Sequence, residues 1–383
     1  MNLTSPKNWK TVKLGDIAVF NYGKSLVSTS RVDGNFPVYG SSGITGYHNE
    51  ALVSEKGYVI GRKGSIGTIY FSEKSFWPID TVYYITEKDL KCDFNFFFYL
   101  LKTLGLDKLN FDSAVPGLNR EMVYSLETQI PESIDEQKEI TSILGSLDDK
   151  IELLRKENKT LENIAQTLFK EWFVDFKFPG HEKIEIVDGI PEGWKMGKLG
   201  DVLEIKNGFA FKSEDYIQEK QYPVIRTMNF EDSGYVNNNG LVYLSYEKAK
   251  EYKGFNFEEF DLCVVMVGAS LGKIAMVTKI NLPALQNQNM WSFKPKNKDF
   301  RFYINFQVKD IVNSNINSAS GSARDFFRKD HFYNIDILIP NDLIVSDFES
   351  KIQPMYYKIS NNILEIQTLS KLRDDLLNKI FNV

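Results

Sequence analysis

The 383-residue sequence holds only two cysteines, Cys92 and Cys263, far apart and without a partner motif around either, so it suggests neither a disulfide framework nor a thiolate zinc site. Both read as ordinary buried thiols. Histidine is equally scarce: His48, His181 and His331 are scattered without metal-ligand spacing, and no metal is expected. Nowhere do ~18 apolar residues follow one another, and Met1 to Lys10 has no apolar run with a basic flank, which argues against a membrane span and a signal peptide. The expectation is a soluble, cytoplasmic protein with no membrane partner. Low-complexity tracts are missing too, while 43% of residues are hydrophobic and 25% charged, the balance of a folded globular chain.

A basic excess is also lacking. The net charge is −5, whereas nucleic-acid binders often carry a basic domain or stripe. The distribution is more informative. Residues 1–132 carry 14 basic and 14 acidic side chains and residues 176–341 carry 21 of each, while 133–175 carry 6 and 10 and 342–383 carry 5 and 6. The acidic excess sits in two segments, and the other two are left open to DNA.

Signatures of catalysis fail on inspection. Gly23-Lys24-Ser25 resembles the end of a phosphate-binding loop, but the first glycine of that loop is replaced by Ala18. Gly61-Arg62-Lys63-Gly64-Ser65-Ile66-Gly67 lies between strand-like runs, which makes it a hairpin turn rather than a dinucleotide cradle. Glu136-Gln137-Lys138 has nuclease-like spacing, yet it opens a helix and has no upstream strand aspartate with an obvious role. No Asn or Asp followed by Pro-Pro and an aromatic occurs, so no methyltransferase signature is present.

What is present is an internal duplication. Trp9-Lys10-Thr11-Val12-Lys13-Leu14-Gly15-Asp16-Ile17 recurs as Trp194-Lys195-Met196-Gly197-Lys198-Leu199-Gly200-Asp201-Val202 at an offset of 185, and Gly23 falls on Gly208 at the same offset. Phe36-Pro37-Val38 echoes Tyr222-Pro223-Val224, Gly64 to Gly67 echoes Ala269 to Gly272, and Thr128-Gln129-Ile130-Pro131 echoes Ile337-Leu338-Ile339-Pro340. A growing offset indicates longer loops in the second copy.

Each copy is followed by a helical segment. Ile140, Leu144, Leu147, Ile151, Leu154, Leu161, Ala165, Leu168 and Trp172 follow alternating steps of four and three, with Asn158 in the same register. Ser133 and Glu136 form a capping box, and Pro179-Gly180 follows the end. The second segment places Ile352, Tyr356, Ile359, Ile363, Ile366, Leu377 and Ile380 at the equivalent positions, offset by 212, with Ser370 aligned to Asn158 and Arg373 where an apolar residue is expected. Ser346 and Glu349 offer a second capping box, and Pro354 predicts a bend or a late start. Helices of roughly 40 residues span about 60 Å at ~1.5 Å per residue, enough to cover each other's seams as an antiparallel pair.

Within the copies, Tyr58-Val59-Ile60, Gly67 to Phe71, Thr81 to Ile85, Leu262 to Val267 and Ile274 to Val277 are strand signals, whereas Phe94 to Leu106 and Phe300 to Ile316 read as helical. The fold class is α+β. Two sheet-dominated domains related by a pseudo-twofold repeat are separated by two long helices forming an antiparallel coiled coil. The boundaries read 1–132, 133–178 for the central helix, 179–341, and 342–383 for the C-terminal helix. The loops gather polar and basic residues near aromatics. In the first copy these are Lys24, Ser25, Arg31, Ser41, Ser42, Tyr47, Arg62, Lys63, Asn119 and Arg120; in the second, Lys206, Asn207, Lys212, Arg226, Asn229, Gln286, Gln288, Arg324, Arg328 and Lys329. Arg and Lys suit guanine, Asn and Gln suit adenine, and others would hold phosphates.

At the repeated Trp-Lys-x-x-Lys-Leu-Gly-Asp starts, and at Leu168-Phe169-Lys170-Glu171-Trp172-Phe173-Val174-Asp175-Phe176 followed by Gly189-Ile190-Pro191-Glu192-Gly193-Trp194-Lys195, the sequence resembles specificity subunits of type I restriction-modification systems, over essentially its whole length. The resemblance implies two target-recognition domains, each reading one half of an asymmetric bipartite double-stranded DNA site. It implies helices that set the spacer and dock two methyltransferase subunits, which restriction/translocase subunits then join. It also implies a chain with no catalysis and no cofactor of its own, S-adenosylmethionine, Mg and ATP being bound only by partner subunits. Rival readings are the specificity component of another multi-subunit restriction system, a scaffold that binds proteins or sugars instead of nucleic acid, and an enzyme in its own right.

Overall fold

The computed structural model describes residues 9–109, 117–318 and 328–381. The chain divides into two compact units, Met1–Ile151 with Thr368–Val383, and Glu152–Gln367.

The first unit begins with β1 (Trp9–Lys13), α1 (Leu14–Ile17), β2 (Asn21–Tyr22), β3 (Phe36–Gly40), β4 (Gly43–His48), β5 (Gly57–Gly61), β6 (Ile69–Ser72), β7 (Trp77–Pro78) and β8 (Val82–Thr86). It continues through α2 (Phe94–Thr103), α3 (Arg120–Ser125) and β9 (Glu127–Pro131) into the long α4 (Ile134–Phe169). β1 pairs antiparallel with β9, Trp9 opposite Pro131, so the copy is closed at its two ends. Between them lie a four-stranded sheet in the order β2-β8-β5-β6 and a three-stranded sheet in the order β4-β3-β7, with β3 and β7 parallel. β5 and β8 are buried along almost their whole length, which is why they read as unbroken apolar runs. Asp93 caps α2 by accepting from the Phe96 N–H at 2.9 Å. Phe20, Tyr83, Phe96 and Phe97 form the centre of this core, joined by Ile140 and Leu144 of α4 and by Leu377 and Ile380 near the C-terminus.

The second unit repeats this plan. After the two-strand hairpin of β10 (Ile186–Val187) and β11 (Ile190–Pro191) come β12 (Lys195–Lys198), α5 (Leu199–Val202), β13 (Leu203–Asn207), β14 (Tyr222–Ile225), β15 (Val242–Leu244) and α6 (Tyr246–Glu251). Then follow β16 (Leu262–Val265), β17 (Ile274–Met276), β18 (Leu285–Gln286), β19 (Met290–Pro295), α7 (Arg301–Ser318), α8 (Lys329–Tyr333), β20 (Asp336–Ile339) and α9 (Asp342–Phe381). The sheets run β13-β19-β16-β17 and β15-β14-β18, the latter again with one parallel pair, and β12 pairs with β20. Strand for strand, this is the topology of the first copy. Its core is built on Phe173, Trp194, Phe293, Tyr303 and Phe348.

The repeated sequence motif has a repeated geometry. Asp16 and Asp201 accept from the N–H groups of Lys13 and Lys198, at 3.3 and 2.7 Å. The N–H groups of Leu14 and Leu199 donate to the carbonyls of Leu126 and Ile335, both at 2.9 Å. The hydroxyls of Tyr124 and Tyr333 accept from Phe20 and Ile205, at 3.0 and 2.9 Å. Gly23 and Gly208 are required for close approach: a Cβ would stand 2.0 Å from the Ile79 carbonyl oxygen in one copy and 1.8 Å from that of Asn287 in the other.

The long helices pair antiparallel inside each unit. In the first, Arg373 donates to Asp148 at 2.7 Å, and Asp148 also accepts from the Tyr99 hydroxyl at 2.8 Å. The cation at an expected apolar position thus has a partner on the facing helix. In the second unit Asn362 donates to Asn158 and to Glu157, both at 2.8 Å, and Phe348 packs on Phe169 and Trp172. Along these contacts one helix rises in residue number as the other falls. Of the expected seam, Ile140, Leu144, Ile151, Leu154, Asn158, Ile359 and Leu377 are buried, while Leu147, Leu161, Leu168, Ile363, Ile366 and Ser370 are half-buried.

Two expectations for α9, a late start and a Ser346–Glu349 capping box, are corrected. It starts at Asp342, where Asn341 accepts from the Leu343 N–H at 2.8 Å, and it runs through Pro354. A proline inside a helix costs ~3 kcal/mol. Val345, Phe348, Ile352 and Tyr356 flank it with almost no exposure, and their burial outweighs that cost at roughly 1.5–3 kcal/mol per large apolar side chain. Glu349 is not a capping partner of Ser346. It accepts from the Tyr303 N–H at 2.7 Å and from Phe302, so it caps α7 from another helix. Burial pushes its carboxyl up to about 8.

Candidate nucleic-acid interface

In the first copy, one end of the four-stranded sheet gathers residues that are far apart in sequence. β2 ends at Tyr22, placed opposite Tyr83 of β8, and the following chain is held by the Lys24 N–H donating to the Pro78 carbonyl at 2.9 Å. β5 ends at Gly61, so Arg62 and Lys63 start the loop to β6, with both N–H groups donating to the Thr81 carbonyl. Asn119 caps α3 by accepting from Glu121 and Met122, which sets Arg120 at the first helical position. The Arg62 and Arg120 guanidiniums then lie over the Tyr22 ring, at 5.2 and 4.7 Å from its centroid.

Tyr22 remains 49% exposed, so the stack faces solvent. Arg62 is anchored by one bond from Nη2 to the Asp80 carbonyl, 2.9 Å. The nearest carboxylate to Arg120 among the described residues is Glu121, at 4.0 Å. Beneath the stack, burial pushes the Tyr83 hydroxyl up to about 12, reinforced by Tyr22 and opposed by the two arginines. The hydroxyl stays protonated and donates to the Leu118 carbonyl at 2.9 Å. Ser41 and Ser42 lie against the loop between β5 and β6: Thr68 donates to the Ser41 carbonyl at 2.7 Å, and the Ser42 and Ser65 hydroxyls are 3.2 Å apart. Arg31 lies elsewhere, donating from Nη1 to the Thr45 carbonyl at 2.6 Å, and Tyr47 is exposed on β4; Ser25 is exposed after Lys24.

The second copy places different side chains on the same frame. Asn207 of β13 faces Trp291 as Tyr22 faces Tyr83. The Met266 N–H donates to the Asn289 carbonyl at 2.9 Å, matching the Arg62 bond to Thr81, so Met266 stands where Arg62 does. Lys329 is four residues before Tyr333, as Arg120 is before Tyr124, and donates to the Ile205 carbonyl at 2.7 Å. Arg328 pairs with Asp330 at 3.0 Å, Lys206 with Glu204 at 2.5 Å and Lys212 with Glu214 at 3.4 Å. Gln288 is exposed, and Arg226 donates to the Gly240 carbonyl at 2.8 Å. Arg324 lies outside the described residues.

Two expected base readers are structural instead. Asn229 is fully buried, accepting from the Arg226 N–H at 2.9 Å and donating to the Asn239 carbonyl at 2.7 Å. Gln286 is 3% exposed and is spent on Met290 and Ser292. Each satisfies buried groups that would otherwise cost ~1–3 kcal/mol. Conversely, sequence reading missed Tyr22, although an aromatic beside Gly23-Lys24 was a signal of the kind sought. Among the described residues, no group of three or more His, Cys, Asp or Glu side chains is placed to hold a metal ion, and no helix is long and apolar enough to cross a membrane.

Comparison with known proteins agrees with the duplication. Residues 6–163 and again 191–352 match the family described as type I restriction modification DNA specificity domain. The chain is 29% identical over 306 residues to the type I restriction enzyme MjaIX specificity subunit of Methanocaldococcus jannaschii, covering 74% of this chain and 67% of that protein. It is 22% identical over 393 residues to the MjaVIII specificity subunit of the same organism, covering 96% and 90%. In fold it is similar to the type I restriction-modification S subunit from M. genitalium, with a TM-score of 0.66 at 18% identity and coverage of 98% and 96%.

Proposed function

The chain belongs to the type I restriction-modification DNA specificity family and is a specificity subunit of such a system, and from that premise we propose that each of its two copies reads one half of a single bipartite double-stranded DNA target. The observation that carries this reading is the repeated frame with unlike side chains at matching places. Two domains of one topology sit on DNA in the same way, and their differing loops select different bases, the logic by which paired modules match paired half-sites.

Specificity subunits of this family are generally non-catalytic and work in complexes with other subunits. In this reading two methyltransferase subunits dock on α4 and α9, which is supported by exposed apolar side chains on those helices, Leu153 at 60% and Leu372 at 46%. Restriction/translocase subunits join that assembly in the cytoplasm. S-adenosylmethionine, Mg and ATP are then bound by the partners and none by this chain. If the partner methylates a base, that base must leave the stack, and grip on the flanking sequence positions it.

The test is methylome sequencing of a host without other methyltransferases, carrying this chain with and without its co-encoded methyltransferase. A modified bipartite motif should appear only when both are present. Exchanging residues 1–132 for those of another family member should change one half of that motif. A change in both halves, or no motif from a soluble assembled complex, refutes the division of labour.

A further inference from the structure

We propose that the Tyr22–Arg62–Arg120 stack is the guanine-reading element of the first recognition domain, and that the second half-site has no guanine requirement at the corresponding base pair; this rests on the specificity reading above.

The chemistry begins with what the stack holds still. Both guanidiniums lie over one exposed ring, and the Nε atoms of Arg62 and Arg120 are buried without a hydrogen-bond partner among the described residues. Their planes are therefore set by stacking and, for Arg62, by the bond to Asp80. That leaves both Nη groups of Arg120, and Nη1 with the second Nη2 hydrogen of Arg62, as donors held in place. A fork of parallel N–H donors matches the paired O6 and N7 acceptors of guanine in the major groove, the commonest specific contact between protein and DNA. Holding the fork in advance lowers the entropic cost of using it.

Phosphate is the other ligand a guanidinium takes, and the duplication argues against it. Phosphates are the same in every half-site, so a residue that grips them can be kept in both copies, whereas a residue that reads a base must differ if the halves differ. The frame residues around this site are retained: Gly23 and Gly208, Tyr124 and Tyr333, Asp16 and Asp201. The three stack positions are not. Tyr22, Arg62 and Arg120 correspond to Asn207, Met266 and Lys329, and the Lys329 ammonium is turned to the Ile205 carbonyl. Asn207, exposed at the matching strand end, offers an amide of the kind that pairs with adenine.

The experiment uses the assembled complex of this chain with its methyltransferase, selecting bound sequences from a randomised duplex library, for wild type, Arg62→Ala, Arg120→Ala and Arg62→Lys. Wild type should return a bipartite motif with guanine in one half. Each alanine variant should lose discrimination at one base pair of that half by roughly 5- to 150-fold, the worth of one bidentate pair, while the other half is unchanged. Arg62→Lys should lose part of that discrimination with its salt dependence intact, since the charge remains but the planar fork does not. Uniform weakening across all sequences with a shallower salt slope would assign the arginines to phosphate and overturn the inference, as would an unchanged motif. Circular dichroism and co-purification of each variant separate misfolding from lost reading. A wild-type complex without sequence preference would instead remove the specificity reading itself.

Discussion

Replacing Asn158 or Asn362 with leucine tests whether a buried polar pair positions the two long helices against each other. Asn362 is 1% exposed and Asn158 8%, and the Asn362 amide donates both to the Asn158 carbonyl oxygen and to Glu157 at 2.8 Å. Asn158→Leu leaves one amide hydrogen of Asn362 unpaired, and Asn362→Leu leaves the Asn158 carbonyl unpaired, each a loss of about 1–3 kcal/mol for a buried group stripped of its partner. The double variant strands neither asparagine. Glu157 keeps Lys358 at 3.4 Å and has access to water, with 40% of its side chain exposed. Two leucines then extend an apolar seam, so the double variant should be close to wild type or more stable, as when a buried polar pair is replaced as a unit. Urea unfolding followed by tryptophan fluorescence reads this directly, because Trp172, Trp194 and Trp291 lie in the same core. The expected coupling between the two sites is at least ~1 kcal/mol. Additive effects, agreeing within ~0.5 kcal/mol, would show that the pair does not act as a unit.

Glu349, raised to about 8 against an ordinary 4.5, holds its proton in the folded state over a range where the unfolded chain has lost it. Stability should therefore fall as pH rises from about 4.5 to about 8, by up to ~1.4 kcal/mol per pH unit; thermal unfolding of Glu349→Gln should show that decline removed, and an identical pH profile would disprove it. Gly23→Ala and Gly208→Ala should each cost ~1–3 kcal/mol or more, because the atoms they meet are backbone carbonyls that cannot turn aside. Gly254→Ala, where a Cβ meets nothing within 4 Å, is the control and should stay within ~0.5 kcal/mol in the same denaturation assay. Charged residues at Leu147 and Leu154 together should separate the helix pair and release the methyltransferase subunits proposed to dock there, since Leu154 is 1% exposed; unchanged co-purification would count against the coiled-coil assignment.

Features written in local or periodic form were legible from the amino acids alone. The heptad spacing from Ile140 to Leu168 announced α4, and the two Trp-Lys-x-x-Lys-Leu-Gly-Asp runs announced two copies of one frame, because the same side chains meet the same neighbours in each. Pro354 misled as to a late start for a physical reason: its local cost is real, but the burial of Phe348 and Ile352 on either side of it is decided by the packing of the whole unit. Asn229 and Gln286 misled in the same way. An amide in a polar loop has the chemistry of a base reader whether it points to water or into the protein, and only burial distinguishes the two.

The sequence by itself determined the duplication, the fold class, the helical spacers and the family, all carried by spacing and repetition along the chain. Tertiary structure alone decided that β1 closes onto β9, that Arg373 finds Asp148, and that Tyr22, Arg62 and Arg120 converge on one ring. Those residues lie in separate stretches of chain, and nothing in their local sequence encodes the meeting. It follows from the strand order β2-β8-β5-β6, which brings the end of β2 and the loop after β5 to one end of the sheet, and from the Asn119 cap that places Arg120 there.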